Sequence, residues 1–80
     1  MKIEILGAGC MKCKDLYQAT MNAVAEMDIA VEVLKVEDIN AIMGYGVMMT
    51  PALVIDGEVK SSGKVLSIEK LKELIIENIK

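Results

Sequence analysis

Cys10 and Cys13 are the only cysteines in the 80-residue chain, and two residues separate them. At the beginning of a helix, this spacing brings two sulfur atoms close enough to form a disulfide bond. The unpaired backbone N–H groups and the dipole of the helix start also stabilise a thiolate. A thiolate carries out disulfide exchange, and it also binds soft metal ions. The spacing therefore indicates either a redox-active dithiol or a metal site.

The neighbouring sequence predicts that the pair lies where a strand turns into a helix. Residues 2–6 are predicted to form a short strand, and Gly7–Ala8–Gly9 follows them. Residues 11–27 carry apolar side chains at helical spacing. We therefore expect the Cys10 thiolate to gain most from the helix dipole, and Cys13, one turn inside, to be more buried.

The remainder of the chain predicts three more strands and two more helices. Asp38 and Ser67 are suited to cap the two helices, and Asp56–Gly57 is a strong hairpin signal. The resulting order is β-α-β-α-β-β-α. The predicted ranges are a strand over 29–36, a helix over 38–43, strands over 52–55 and 58–60, and a helix from 68 to about 79.

This order predicts an α/β fold. A strand–helix–strand unit makes a parallel pair by right-handed crossover, whereas a hairpin makes an antiparallel pair. We therefore expect a mixed four-stranded sheet with helices on both faces, in one domain over residues 1–80. The core must consist of aliphatic and thioether side chains, because 54% of the residues are hydrophobic but Phe and Trp are absent.

Charge and hydropathy argue against two classes of partner. The formal net charge is −3, and a nucleic-acid surface would need a basic patch. No apolar run reaches the roughly 18 residues of a membrane span, and no signal-peptide core is present. We therefore expect a cytoplasmic protein, in which a lone C-x-x-C is typical of redox or metal chemistry.

A second motif stands before the third predicted strand, at Thr50–Pro51. Together with Cys10-x-x-Cys13 and the element order, it resembles the thioredoxin-like superfamily. The segment Gly7–Ala8–Gly9–Cys10–Met11–Lys12–Cys13 is more closely similar to the opening of small thioredoxin/glutaredoxin-like redox-active disulfide proteins of prokaryotes. The resemblance covers essentially the whole chain and implies a thioredoxin-like fold.

The resemblance also implies roles for individual residues. Cys10 would be the nucleophile, and Cys13 would resolve the mixed disulfide. The peptide bond before Pro51 would be cis, with the proline against the disulfide, and the Thr50 backbone would pair with an extended substrate. Glu4, six residues before Cys10, corresponds to a buried acid that takes the proton of the second cysteine. The alternative for Glu4 is a strand-face carboxylate open to solvent.

Three further residues are candidates for substrate binding. Met49 flanks the expected groove, and Met11 lies between the cysteines, where flexible thioethers suit varied partners. Gly63 resembles the glycine that lines the groove in this family, although an ordinary loop glycine would give the same pattern.

The function that this resemblance implies is thiol–disulfide oxidoreduction. A monomeric enzyme would exchange the Cys10–Cys13 dithiol with disulfide-containing protein substrates, without a bound cofactor. A flavin-dependent thioredoxin reductase would return it to the reduced form. The dipeptide between the cysteines matches neither the thioredoxin nor the glutaredoxin signature, so the redox potential is not predicted.

Soft-metal binding is the alternative function. Heavy-metal-associated domains have a similar length and use a C-x-x-C loop to hold an ion such as Cu(I). Their order, however, is β-α-β-β-α-β, whereas this chain is predicted to end in a helix. They also need no proline before a third strand. A third interpretation, two inert buried cysteines, needs no functional site at all.

Overall fold

A computed structural model of the chain describes residues 1–9 and 11–79; Cys10 and Lys80 lie outside them. The observed order of strands and helices confirms the predicted β-α-β-α-β-β-α. The elements are β1 (Lys2–Leu6), α1 (Met11–Met27), β2 (Glu32–Val36), α2 (Ile39–Gly44), β3 (Ala52–Ile55), β4 (Glu58–Ser62) and α3 (Ile68–Asn78).

The four strands form one mixed sheet in the order β2-β1-β3-β4. β1 and β2 are parallel, with Ile3 opposite Val33, while β1–β3 and β3–β4 are antiparallel. The parallel pair results from the crossover through α1, and the last antiparallel pair from the hairpin. Asp56 and Gly57 both have positive φ, of 49° and 85°, as a tight two-residue turn of this kind requires.

Helices cover both faces of the sheet, as predicted. On one face, α1 and α3 pack against alternate residues of β1 and β3, including Ile3 and Ile5. On the other face, the shorter α2 packs against Leu6 and the remaining residues of β3. The core is aliphatic on both sides. Its fully buried large side chains include Ile3, Leu6, Leu16, Leu53, Ile55, Leu71 and Ile75.

The two predicted helix caps are present. The Asp38 carboxylate accepts a 3.0 Å hydrogen bond from the backbone N–H of Asn40, and the Ser67 hydroxyl accepts one of 3.1 Å from Lys70. Each satisfies an N–H group that has no partner within the helix. No helix in the described part of the chain is long and apolar enough to cross a membrane.

Two predicted strand boundaries are wrong. β2 begins at Glu32 rather than at residue 29, because Glu32 pairs with Lys2, the first residue of β1, and earlier residues have no partner strand. β4 extends through Ser61 and Ser62, which were expected to form a loop. They pair with β3 after a bulge at Lys60, and a bulge leaves little trace in the hydrophobic pattern.

Candidate active site

Most of the predicted site residues that the structure describes gather at one edge of the sheet. The carboxyl ends of β1 and β2 meet there, where the Gly7 N–H donates a 2.9 Å hydrogen bond to the Val36 carbonyl. Because β3 is antiparallel to β1, the Thr50–Pro51 segment that precedes it reaches the same edge. The first turn of α1 begins there too. Three segments that are distant in the sequence therefore converge on one place: the turn from β1 into α1, the end of β2, and Thr50–Pro51.

Cys13 lies in the first turn of α1, with 5% of its surface exposed, and it is disulfide-bonded. Gly7 lies against it so closely that a Cβ atom built on the glycine would overlap the Cys13 sulfur. Only a residue without a side chain permits this approach of β1 to α1. Cys10, the predicted nucleophile, is outside the described residues.

Thr50 also lies close to Gly7. The Cβ atom of Thr50 is 3.8 Å from the position that a Gly7 Cβ would take. The Thr50–Pro51 peptide bond is cis, as the resemblance implied. Pro51 is buried and Thr50 is exposed, so the threonine is the accessible residue of this pair.

Met49 and Gly63 extend this surface. The Pro51 carbonyl accepts a 2.8 Å hydrogen bond from the Gly63 N–H, which fixes the end of β4 beside the proline. A Cβ at Gly63 would lie 3.1 Å from the Met49 Cβ, and φ at this glycine is +74°, so two constraints favour glycine. We call the surface formed by Met49, Thr50, Pro51 and Gly63 the proline groove.

The methionines near the groove are exposed. Met49 is 63% exposed and Met48 is 95% exposed. Met11, in the first turn of α1, is 74% exposed. Apolar side chains with this exposure contribute little to the core, which makes them suited to contact a partner.

Glu4 is buried, with 9% of its surface exposed, so the solvent-open alternative is wrong. Its Oε1 accepts a 2.7 Å hydrogen bond from the hydroxyl of Tyr45. This hydrogen bond, followed by burial and the negative charge of Glu4, raises the pKa of Tyr45. Tyr45 was not among the residues predicted for the site. Its position between two glycines, just after α2, gave no sign of this contact.

The described residues offer little to a metal ion. Among residues 1–9 and 11–79, no three His, Cys, Asp or Glu side chains are grouped so that they could hold one. The element order, with α3 after β4, also differs from the β-α-β-β-α-β order of the metal-binding alternative.

The fold and this site together define a thioredoxin-like protein, and comparison with known proteins agrees. The family model for the thioredoxin domain matches residues 1–76. A thioredoxin of Methanothermobacter thermautotrophicus is 37% identical over 75 residues, covering 94% of this chain and 97% of that protein. A thioredoxin of Methanocaldococcus jannaschii is 39% identical over 71 residues, covering 89% of this chain and 81% of that protein.

The chain therefore belongs to the thioredoxin family, whose members are thiol–disulfide oxidoreductases.

Proposed function

We propose that this protein reduces disulfide bonds in protein substrates through a Cys10–Cys13 dithiol. The Cys10 thiolate attacks a substrate disulfide, forming a mixed disulfide and releasing one substrate thiolate. Cys13 then attacks the Cys10 sulfur, which releases the second substrate thiolate and leaves the two cysteines joined by a disulfide. Two electrons pass from the dithiol to the substrate.

The observation that carries this proposal is the convergence of Cys13, Gly7 and the Thr50–Pro51 segment at one sheet edge. A buried, disulfide-bonded Cys13 is suited to act second, after a more accessible sulfur has reacted. Thr50, an exposed residue, lies beside it, and its backbone would pair with an extended substrate segment, while Met49, Gly63 and Met11 would contact the substrate.

Glu4 has the burial that a proton acceptor for Cys13 would need. Side chains alternate along β1, so Glu4 is on the face covered by α2, whereas Cys13 packs against Gly7 on the face covered by α1. In this proposal, the Glu4 carboxylate therefore takes the proton of the Cys13 thiol through a water molecule rather than by direct contact, as the Cys13 sulfur attacks the mixed disulfide. Tyr45 holds the carboxylate by its hydrogen bond.

We further propose that the protein acts as a monomeric single domain in the cytoplasm, where thiols are kept reduced. A flavin-dependent thioredoxin reductase would supply the electrons, and no resident cofactor takes part.

The test is a redox titration of the purified protein against a defined dithiol buffer, with an insulin-reduction assay and a metal analysis on anaerobic samples. We expect a reversible two-electron couple, insulin reduction, and no stoichiometric metal. Tight Cu(I) binding without insulin reduction would instead establish the metal-binding alternative. A titration that shows no exchangeable disulfide would contradict the proposed function.

A further inference from the structure

The side chain of Met49 lies on the backbone of the proline groove. Its Cβ, Cε and Sδ atoms are 3.1, 3.2 and 3.4 Å from the position that a Cβ at Gly63 would take. The Gly63 N–H in turn donates a 2.8 Å hydrogen bond to the Pro51 carbonyl. The Met49 thioether is therefore packed on a residue that is hydrogen-bonded to the proline of the site.

The same side chain is open to solvent. Met49 is 63% exposed, so a small oxidant in solution can reach it. Met48, the preceding residue, is 95% exposed, so its side chain has almost no contact with the described part of the chain. Two adjacent thioethers are thus accessible, and Met49 is the one that packs against Gly63.

We propose that Met49 is an oxidation site through which hydroperoxides lower the affinity of the proline groove for protein substrates. With hydrogen peroxide, the Met49 sulfur takes one oxygen atom, the O–O bond breaks, and the other oxygen leaves as water. The sulfur loses two electrons and the peroxide gains them. The product, methionine sulfoxide, is polar where the thioether was apolar. This inference rests on the proposed function, because the groove must bind substrates for its polarity to matter.

The groove offers the sulfoxide oxygen poor compensation for lost water. A substrate in the groove would cover Met49, and a polar atom that loses water without gaining a hydrogen bond is costly. Pro51 has no N–H, and the Gly63 N–H is already engaged by the Pro51 carbonyl. Oxidation should therefore weaken substrate binding without changing the exchange chemistry of the cysteines, which raises KM and leaves kcat nearly constant.

The test measures insulin reduction before and after oxidation. The protein is treated with hydrogen peroxide in its disulfide form, in which neither cysteine is a thiolate, and the peroxide is then removed. With dithiothreitol as the electron donor, we expect the KM for insulin to rise about fivefold, as when part of one apolar contact is lost from an interface. Peptide mapping should find the sulfoxide at Met49. Treatment with the methionine sulfoxide reductases MsrA and MsrB should return KM to its starting value.

Three variants assign the effect to one methionine, and each is compared with its own untreated sample. Met49→Leu removes the sulfur but keeps an apolar side chain of similar volume, so peroxide should no longer change its KM. Met48→Leu and Met11→Leu are the matched controls and should still show the rise. Because Met48 and Met11 are more exposed than Met49, these controls separate the position of a methionine from its accessibility.

Several results would overturn the inference. A rise in KM that persists in Met49→Leu would place the effect at another residue. Sulfoxide mapped to Met49 without a change in KM would show that the groove tolerates the polar group. A fall in kcat at constant KM would indicate damage to the cysteines instead. Untreated protein that fails to reduce insulin would overturn the proposed function as well, whereas a failure confined to the peroxide-treated samples would overturn this inference alone.

Discussion

The hydroxyl of Tyr45 donates a 2.7 Å hydrogen bond to the buried carboxylate of Glu4, from a position 41 residues later in the sequence. Glu4 lies in the third position of β1, and Tyr45 immediately follows α2, so the contact joins the sheet to the helix on its face. A buried carboxylate without a hydrogen-bond partner is costly, so this contact stabilises the chain at the position of the proposed proton acceptor.

Replacing Tyr45 with Phe removes the donor and keeps the ring. We expect the free energy of unfolding to fall by about 1 kcal/mol, the usual contribution of a hydrogen bond, because the Glu4 carboxylate loses its partner. Urea unfolding at pH 7 measures the change. Tyr17→Phe is the matched control and should have a smaller effect. Equal losses of unfolding free energy in Tyr45→Phe and Tyr17→Phe would mean that the hydrogen bond from Tyr45 to Glu4 does not stabilise the protein.

Tyr45 also predicts a pH dependence. Its pKa in the folded protein is raised above the ordinary value of 10.0, chiefly by the hydrogen bond to Glu4. The protonated tyrosine therefore contributes its full stability below about pH 10, and this contribution is lost as the pH rises through the higher pKa of the folded state. Urea unfolding between about pH 9 and about pH 11.5 should show a steeper loss for the unmodified protein than for Tyr45→Phe. If the free energy of unfolding falls equally steeply with pH in both proteins, the raised pKa of Tyr45 is contradicted.

Gly7→Ala tests the close approach of β1 to Cys13. The added methyl group would overlap the Cys13 sulfur, so α1 must shift or the turn must distort. Overpacking of this kind costs about 1–3 kcal/mol, and urea unfolding should show a loss in that range. Gly44→Ala, where a Cβ meets nothing within 4 Å, should change stability little or raise it slightly. Similar free energies of unfolding for Gly7→Ala and Gly44→Ala would mean that the close approach of β1 to Cys13 does not require glycine at position 7.

Glu4→Gln tests the proton-acceptor role. The amide fills the same space and can still accept the hydrogen bond from Tyr45, but it cannot take a proton. The first attack by Cys10 should keep its rate, while release of the mixed disulfide should become slower near neutral pH. Stopped-flow kinetics separates the two steps. Release rates that stay unchanged between about pH 6 and about pH 8 would assign Glu4 a purely structural role.

Features encoded over a few neighbouring residues were predictable from the sequence. Asp38 and Ser67 cap helices, and Asp56–Gly57 makes the hairpin, because each needs only its immediate neighbours. The start of β2 and the end of β4 were not predictable in the same way. Both depend on where a partner strand begins or bulges, which a local pattern does not encode.

The site was predictable only where a motif marked it. Cys13 and Pro51 stood out by residue type and spacing, and the sheet topology brings their segments together. No local motif indicated Tyr45, because its role depends on a hydrogen bond to Glu4, which is distant in the sequence.

Trapping of a mixed disulfide tests the central claim most directly. Cys13→Ser and Cys10→Ser proteins, both reduced, are mixed with a disulfide-containing protein and analysed by intact mass. Cys13→Ser should accumulate a covalent complex, because Cys10 still attacks and the resolving sulfur is missing. Cys10→Ser should accumulate none and should have lost disulfide reductase activity. A complex formed by Cys10→Ser and not by Cys13→Ser would reverse the assigned roles and contradict the proposed mechanism.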